Sequence, residues 1–187
     1  MASIFAHGFT AYALAKSFKK EVFSFKLWFL GALCAIIPDA DVISFKFGIK
    51  YEDFWGHRGF THSILFALLL SIVICVIFYR KKLLSKTGVF LFIYFFVCTA
   101  SHGVLDAMTT GGLGVAFLSP FDNARYFFPF RPIQVSPIGA SRFFSIWGLK
   151  VIVSELIWIG IPGVVYILIT KFYHKIIRPK TDAKEAM

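Results

Sequence analysis

The chain has 187 residues, of which 58% are hydrophobic and 19% aromatic, and it carries 20 Lys and Arg against 10 acidic residues. A soluble domain of this size cannot bury that much apolar surface, because surface area grows slowly with mass. The composition therefore predicts a single-domain integral membrane protein. Its net charge of +10 is expected from basic loops that set topology and meet anionic lipid, so direct nucleic-acid binding is disfavoured.

Five apolar segments follow one another along the chain, and each is predicted to be helical: Met1–Ala15, Leu27–Ile37, Ile64–Tyr79, Gly88–Ala100 and about Phe143–Thr170. At about 1.5 Å per residue the first reaches only about 22 Å, which is less than a hydrocarbon core of about 30 Å. The predicted fold class is all-α, a multi-pass membrane protein with four or five transmembrane helices. Residues 1–170 would form this membrane domain and residues 171–187 a basic cytoplasmic tail.

The breaks between these segments have recognisable chemistry. Pro38 predicts the end of the second helix, because proline lacks an amide proton and disfavours helix at the preceding residue. Residues 42–63 are predicted to form a mixed loop, and residues 115–142 form a long loop with four prolines. In the last helix, the Gly160–Gly163 stretch with its proline predicts a kink.

The distribution of Lys and Arg predicts the orientation. If Met1 lies outside and five segments cross, the inner loops 16–26, 80–86 and 171–187 hold 13 Lys and Arg. The outer loops 44–63 and 107–142 then hold 6. Basic residues accumulate in cytoplasmic loops, so this count places the C-terminus inside.

The stretch Gly56–Ser63, read as GHRGFTHS, directly precedes the third apolar segment and contains two of the five histidines. Histidines five apart cannot share one face of a regular helix, because neighbours on a face are three or four apart. His57 is therefore predicted in a loop, and His62 in the first turn of the following helix. Thr61 or Ser63 is expected to cap that helix.

Ionisable residues at membrane depth are costly and usually face a polar interior or a pathway. With the first segment crossing, seven His and Asp residues come to the outer face and are candidate metal ligands: His7, Asp39, Asp41, His57, His62, His102 and Asp106. Mixed imidazole and carboxylate ligands suit zinc, manganese or iron. Seven ligands exceed one tetrahedral ion, so a site of two zinc ions is favoured within a range of one to three, with manganese as an alternative.

Each candidate also has a purely structural interpretation. His7 would be excluded from the cluster if the first segment lay only on the inner surface. The two aspartates after Pro38 could form a helix-end turn, and His102 with Asp106, four residues apart, could be an isolated intrahelical pair. Arg58 could clamp an anionic substrate or extend to lipid phosphates.

The motifs together resemble a known family. They are GHRGFTHS at Gly56–Ser63, Pro38-Asp39-Ala40-Asp41 before it, and Ser101-His102 with Asp106 and Thr109-Thr110-x-Gly112 after it. Their order and spacing over about residues 1–140 resemble the YdjM-type membrane-bound metal-dependent hydrolases, also described as LexA-binding inner-membrane hydrolases. The resemblance implies a helical protein distantly similar to zinc-dependent phospholipase C and P1 nuclease, with the seven candidates as ligands. One departure is Val42, where family members often have histidine.

Three functions follow as hypotheses. The first is a membrane-bound metal-dependent hydrolase that cleaves phosphoesters, including lipid-related ones, at the outer face of a bacterial inner membrane, with Asp39, Asp106 and Arg58 as catalytic residues. The second is a regulatory protein that binds a protein partner through its basic inner loops and uses the metal structurally. The third is a metal transporter, which predicts polar residues along several helices, whereas Ile64–Tyr79 shows only Ser71 and Cys75.

Overall fold

The computed structural model describes residues 1–19, 22–138 and 140–185. Within them, seven α-helices occur and no β-strand; the only sheet-like pairings are two isolated bridges. The α-helices are α1 Ile4–Ala15, α2 Phe25–Ile36, α3 Ile64–Tyr79, α4 Lys86–Ala107, α5 Ala140–Phe143, α6 Ile146–Glu155 and α7 Ile161–Glu185. Three 3₁₀ segments, Ile37–Phe47, Phe60–His62 and Arg80–Lys82, and one π-helical turn, Leu156–Gly160, complete the helical structure.

Four stretches of the described residues are long and apolar enough to cross a membrane: Phe25–Phe47, Ile64–Lys82, Lys86–Ala107 and Ile146–Ile176. Helix α1 is also apolar but shorter, with 12 residues. The prediction of an all-α, multi-pass protein with four or five membrane helices is confirmed.

Helices α1 to α4 form a bundle in which α1 packs mainly against α2, and α3 against α4. The core between them is built from aliphatic, aromatic and cysteine side chains, including Leu27, Cys34, Leu91, Phe95 and Cys98, each at most 1% exposed. The cysteines are free thiols. All three pack in this core.

The predicted boundaries near the site hold except within the loop 42–63. Helix α2 ends at Ile36, as Pro38 predicted, and Pro38 itself lies in the first turn of the 3₁₀ segment Ile37–Phe47, where its missing N–H is tolerated. Part of the predicted loop 42–63 is therefore helical. The apolar run Gly88–Ala100 is part of the longer helix α4, Lys86–Ala107, which holds both His102 and Asp106, as their spacing of four residues indicated.

The last predicted helix is divided. Its regular pattern changes at the π-helical turn Leu156–Gly160, immediately before Pro162, so the irregularity lies close to the predicted kink but begins before it. Helix α7 then continues beyond Thr170 to Glu185, into the segment predicted as a tail. The final two residues of that tail lie outside the described part of the chain.

The helix directions place the His and Asp motifs of this chain at one end of the bundle. The carbonyl of Ala35, at the C-terminal end of α2, contacts His102 near the C-terminal end of α4. At the opposite end, the Lys26 ammonium contacts the carbonyl of Phe78 close to the basic turn Arg80–Lys82. The polar and the basic ends are therefore separated by the length of the bundle. This agrees with the predicted orientation, in which the His and Asp residues lie at the outer face and the basic turn lies inside.

Candidate metal centre

The GHRGFTHS stretch contains a 3₁₀ turn and the N-cap of α3, and these two features position its histidines. Ser63 has an extended backbone and its hydroxyl accepts the N–H of Phe66, which caps α3. His62 lies before this cap, in the 3₁₀ turn Phe60–His62, so its predicted place in the first turn of α3 is wrong. Because a capping residue is not helical, the histidine before it needs a separate turn. His57 lies in the loop, as predicted.

Four of the seven predicted residues form one compact group: Asp39, His62, His102 and Asp106. Each offers one atom, and these four atoms all lie within 4.8 Å of one another. The Nε2 atoms of His62 and His102 are 3.0 Å apart, and Asp39 Oδ1 lies 3.7 and 3.3 Å from them. Asp106 Oδ2 lies 3.7 and 3.9 Å from the same two nitrogens.

These spacings suit one tetrahedral ion. With metal–ligand bonds of about 2.0–2.1 Å, neighbouring ligand atoms of a tetrahedron lie about 3.3 Å apart. The Oδ1 atom of Asp39 is buried without a hydrogen-bond partner among the described residues. A buried carboxylate oxygen is costly in that state and is stabilised by a cation. The donor set and its spacing therefore fit a divalent metal such as zinc.

The histidine tautomers also fit a metal. His102 Nδ1 lies 2.7 Å from the carbonyl of Ala35 and must donate its proton there, which leaves a lone pair on Nε2. His62 Nδ1 lies 3.2 Å from Asp41 Oδ2, in the position of the carboxylate that commonly supports a metal-binding imidazole. Both histidines therefore direct Nε2 toward the centre of the group.

Asp41 has a different set of contacts from Asp39. Its Oδ1 lies 2.7 Å from His57 Nδ1, and its Oδ2 accepts the N–H of Arg58 and the hydroxyl of Thr61. Asp41, His57 and His62 form a second group with metal-competent atoms. However, 2.7 Å is short for two ligands of one ion and normal for a hydrogen bond. Asp41 thus contacts Nδ1 of both His57 and His62 and is placed to fix the orientation of their rings.

His7 joins the site from α1, but outside the group of four. Its ring stacks on that of His102, with centroids 3.8 Å apart, and its Nε2 lies 3.7 Å from Asp106 Oδ1. Both ring nitrogens are buried without a hydrogen-bond partner in the described structure. Helix α1 therefore brings His7 to the cluster, in agreement with the arrangement in which the first segment crosses.

Arg58 lies inside the protein, with 0% of its side chain exposed. Its Nε is 2.9 Å from Asp106 Oδ2, and its two terminal nitrogens donate to the Gly111 carbonyl and the Thr109 hydroxyl. The guanidinium therefore acts as a counter-ion for Asp106 and fastens the Thr-Thr-x-Gly segment. These contacts are internal; a catalytic role for Arg58 stays a prediction.

Gly112 of that segment is required by the same arrangement. Its backbone has a φ of +94°, and a Cβ there would lie 2.6 Å from Arg58 Nη1. Only glycine adopts this conformation readily and leaves room for the guanidinium.

The charges around the two loop histidines act on them differently. Burial by itself lowers the pKa of His62, but the neighbouring carboxylates of Asp106, Asp39 and Asp41 raise the pKa to about 10. Burial lowers the pKa of His57 in spite of the neighbouring Asp41. The carboxylates thus attract positive charge to the position of His62, at the centre of the cluster.

Two contributors were not predicted as site residues. Arg125 of the long loop donates to the carbonyls of His57 and Tyr51, which fixes the loop over the GHRGFTHS stretch. Glu155, at the end of α6, accepts the N–H and the hydroxyl of Ser3. The sequence feature that could have identified Glu155 is its position inside an apolar helix, because ionisable residues in membrane segments are costly and usually functional.

Comparison with known proteins identifies one matching family and two similar proteins from bacteria. The model of the YdjM inner membrane protein family matches residues 2–177. The chain is 37% identical over 163 residues to inner membrane protein YbcI of Escherichia coli K12, covering 87% of this chain and 93% of that protein. It is 32% identical over 96 residues to the uncharacterized protein YvsG of Bacillus subtilis 168, covering 48% and 55%. No solved structure matches.

Proposed function

The chain belongs to the YdjM inner membrane protein family, and we propose that it is a membrane-bound, metal-dependent hydrolase that cleaves phosphoesters at the membrane surface. Membership and the four apolar spans confirm both the family resemblance and the predicted location, a multi-pass protein of the inner membrane. The activity, the metal and the substrate are the proposal.

The observation that carries the proposal is the group of Asp39, His62, His102 and Asp106, in which two imidazole lone pairs and two carboxylates converge. We propose that it holds one zinc ion, and that Asp41 and His57 support it. A two-ion site, which the sequence favoured, would need the Asp41, His57 and His62 group to bind as well. Bound in such a group, a divalent ion lowers the pKa of a water toward about 7 and polarises a phosphoryl oxygen.

The roles of the two carboxylates are separated by their surroundings. Asp106 is fully buried and paired with Arg58, so it suits a permanent ligand. Asp39 is the most accessible of the four, with 11% of its side chain exposed. We propose that substrate approaches on the Asp39 side, that His62, His102 and Asp106 serve as the three protein ligands, and that the Asp39 carboxylate accepts the proton of the attacking water. Because the site lies at the end of the helix bundle, a phosphoester carried by a lipid would reach it from the membrane surface.

One observation favours a second function. The side chains of His62, His102 and Asp106 have no exposed surface, and four protein ligands complete a tetrahedron. Closed sites of this kind are typical of structural zinc, whereas catalytic zinc keeps an open position. The alternative is a regulatory membrane protein that binds a protein partner through its basic end, with a metal that stabilises the bundle.

Metal content and hydrolysis together test these functions. Protein purified in detergent without chelator is analysed for metals, and the wild type is compared with His62→Ala, His102→Ala and His174→Ala. His174 lies at the far end of the bundle, beside Ser17, and serves as the control. The same samples are assayed with bis(p-nitrophenyl) phosphate and with phospholipid vesicles.

Stoichiometric zinc that is lost in His62→Ala and His102→Ala, with hydrolysis lost in parallel, supports the hydrolase. Zinc without hydrolysis of either substrate supports the structural alternative. No metal in the wild type, even after incubation with zinc, refutes both metal-based functions.

A further inference from the structure

Glu155 lies inside the membrane-spanning stretch Ile146–Ile176 and is 7% exposed. Both oxygens of its carboxylate are used: Oε1 accepts the N–H of Ser3 and Oε2 accepts the Ser3 hydroxyl, each at 2.5 Å. An ionisable group at this depth is costly unless its partners are specific, and it usually marks a functional place. Its partner, Ser3, is the neighbour of Ala2, whose N–H binds Asp106 of the metal centre.

Residues 1–3 form a strap between Glu155 and the metal centre. Next to Ser3, the N–H of Ala2 donates to Asp106 Oδ1 at 2.7 Å. The carbonyl of Met1 accepts the N–H of Ser136 at 2.9 Å. Ala2 is 0% and Ser3 4% exposed, so water does not compete for these bonds. The strap is therefore held on one side by Glu155 and on the other by Asp106.

The strap and Arg58 hold the two oxygens of the Asp106 carboxylate. Oδ1 accepts the Ala2 N–H of the strap, while Oδ2 pairs with Arg58 Nε at 2.9 Å and faces the Nε2 atoms of His62 and His102. Without the strap, only Arg58 would hold the carboxylate, which could then rotate about its terminal bond. Its orientation thus depends on a residue in a helix 49 positions further along the chain.

The packing around the strap links the same elements. Ala2 and Ala6 belong to a buried apolar cluster with Ile133 of the long loop and Ile159 of the π-helical turn. That turn, Leu156–Gly160, begins at the residue after Glu155. Short π segments inside helices are frequently found at functional sites. The final helices and the metal centre are therefore connected by packing as well as by hydrogen bonds.

We infer that Glu155 is a positioning residue of the metal centre, which acts through the strap to fix the Asp106 carboxylate and so to raise the affinity for metal. This inference rests on the proposed metal binding. A Glu155 that served only to hold α6 against α1 would affect thermal stability and leave metal affinity and ligand geometry unchanged.

The test compares Glu155→Ala, Glu155→Gln and the matched control Ser154→Ala in lipid nanodiscs. Ser154 is the neighbouring residue on the same helix, and its hydroxyl accepts the N–H of Gln134, a contact outside the strap. Zinc affinity is measured by competition with a chromophoric chelator. Ligand geometry is measured from the visible absorption of the protein loaded with Co²⁺.

Loss of a partner behind a metal ligand typically weakens metal affinity about 10–100-fold. Because Glu155 acts through the strap, we expect about a tenfold loss for Glu155→Ala, with an altered Co²⁺ spectrum. Glu155→Gln keeps one acceptor oxygen and is expected to recover part of the affinity, and Ser154→Ala should match the wild type. If Glu155→Ala does not fold, Ser3→Ala, which removes the hydroxyl donor to Glu155 together with the N-cap acceptor of the Ala6 N–H, replaces it.

Unchanged zinc affinity and Co²⁺ spectrum in the Glu155 variants, beside a wild type that binds zinc, overturn this inference and leave the proposed function intact. A wild type that binds neither ion overturns both. An equal loss in Ser154→Ala shows general disturbance of α6 and also overturns the positioning role.

Discussion

The replacement Arg58→Ala would remove the counter-ion of Asp106 from the interior. Arg58 and Asp106 form an ion pair at 2.9 Å, and both side chains are 0% exposed. Removing one partner of a buried ion pair costs about 3–5 kcal/mol, because the other charge stays buried alone. A domain of this size loses about 2–4 °C of melting temperature per kcal/mol, so we expect a decrease of about 6–20 °C.

The assay is thermal unfolding in detergent with a thiol-reactive fluorogenic dye. The three cysteines are free and buried, so the dye reacts only as the bundle opens. Arg131→Ala is the control, because this exposed arginine contacts only the face of the Phe127 ring among the interactions described for its guanidinium. Its melting temperature should stay within about 4 °C of the wild type, the effect of about 1 kcal/mol.

Comparison with Arg58→Gly and Arg58→Lys separates the contributions. Arg58 has a φ of +64°, a conformation that costs a non-glycine residue about 1–2 kcal/mol, so Arg58→Gly should be less destabilised than Arg58→Ala. Arg58→Lys keeps the charge but cannot reproduce the guanidinium's contacts with Asp106, Gly111 and Thr109. A wild-type melting temperature for Arg58→Ala would refute the counter-ion role, and lost hydrolysis in that stable protein would restore the predicted substrate clamp.

Three further predictions test the site and the orientation. His57→Ala should leave the number of metal ions per chain unchanged, because this histidine bonds to Asp41 outside the group of four. If elemental analysis of this variant gave half the number of ions found in the wild type, a two-ion site would be favoured. Gly112→Ala should lower the melting temperature more than Gly48→Ala, because both glycines have positive φ but only at the former would a Cβ meet the buried guanidinium, at 2.6 Å; equal losses would show that backbone strain alone matters. A membrane-impermeant maleimide applied to intact cells should label Asp53→Cys and spare Lys81→Cys, since the basic turn is predicted inside; the reverse pattern would invert the topology.

The membrane segments and most of the residues of the His and Asp cluster could be predicted from the local sequence. The membrane segments were predictable because a bilayer core of about 30 Å imposes both the length and the apolar composition of each helix. The cluster was predictable because polar residues in such segments are rare and have to meet one another. Even so, local rules misplaced His62, since they did not show that Ser63, rather than Thr61, caps α3.

The sequence by itself determined the class of the protein and the set of residues that meet at its polar end. Only the tertiary structure decided their roles: Asp39 belongs to the group of four, Asp41 instead contacts Nδ1 of His62, and Arg58 pairs in the interior with Asp106. The contact between Ser3 and Glu155 joins residues 152 positions apart, and no periodicity or motif encodes it. Helix periodicity is a property of neighbouring residues, whereas a ligand geometry depends on how distant helices pack, and that is fixed only when the whole bundle forms.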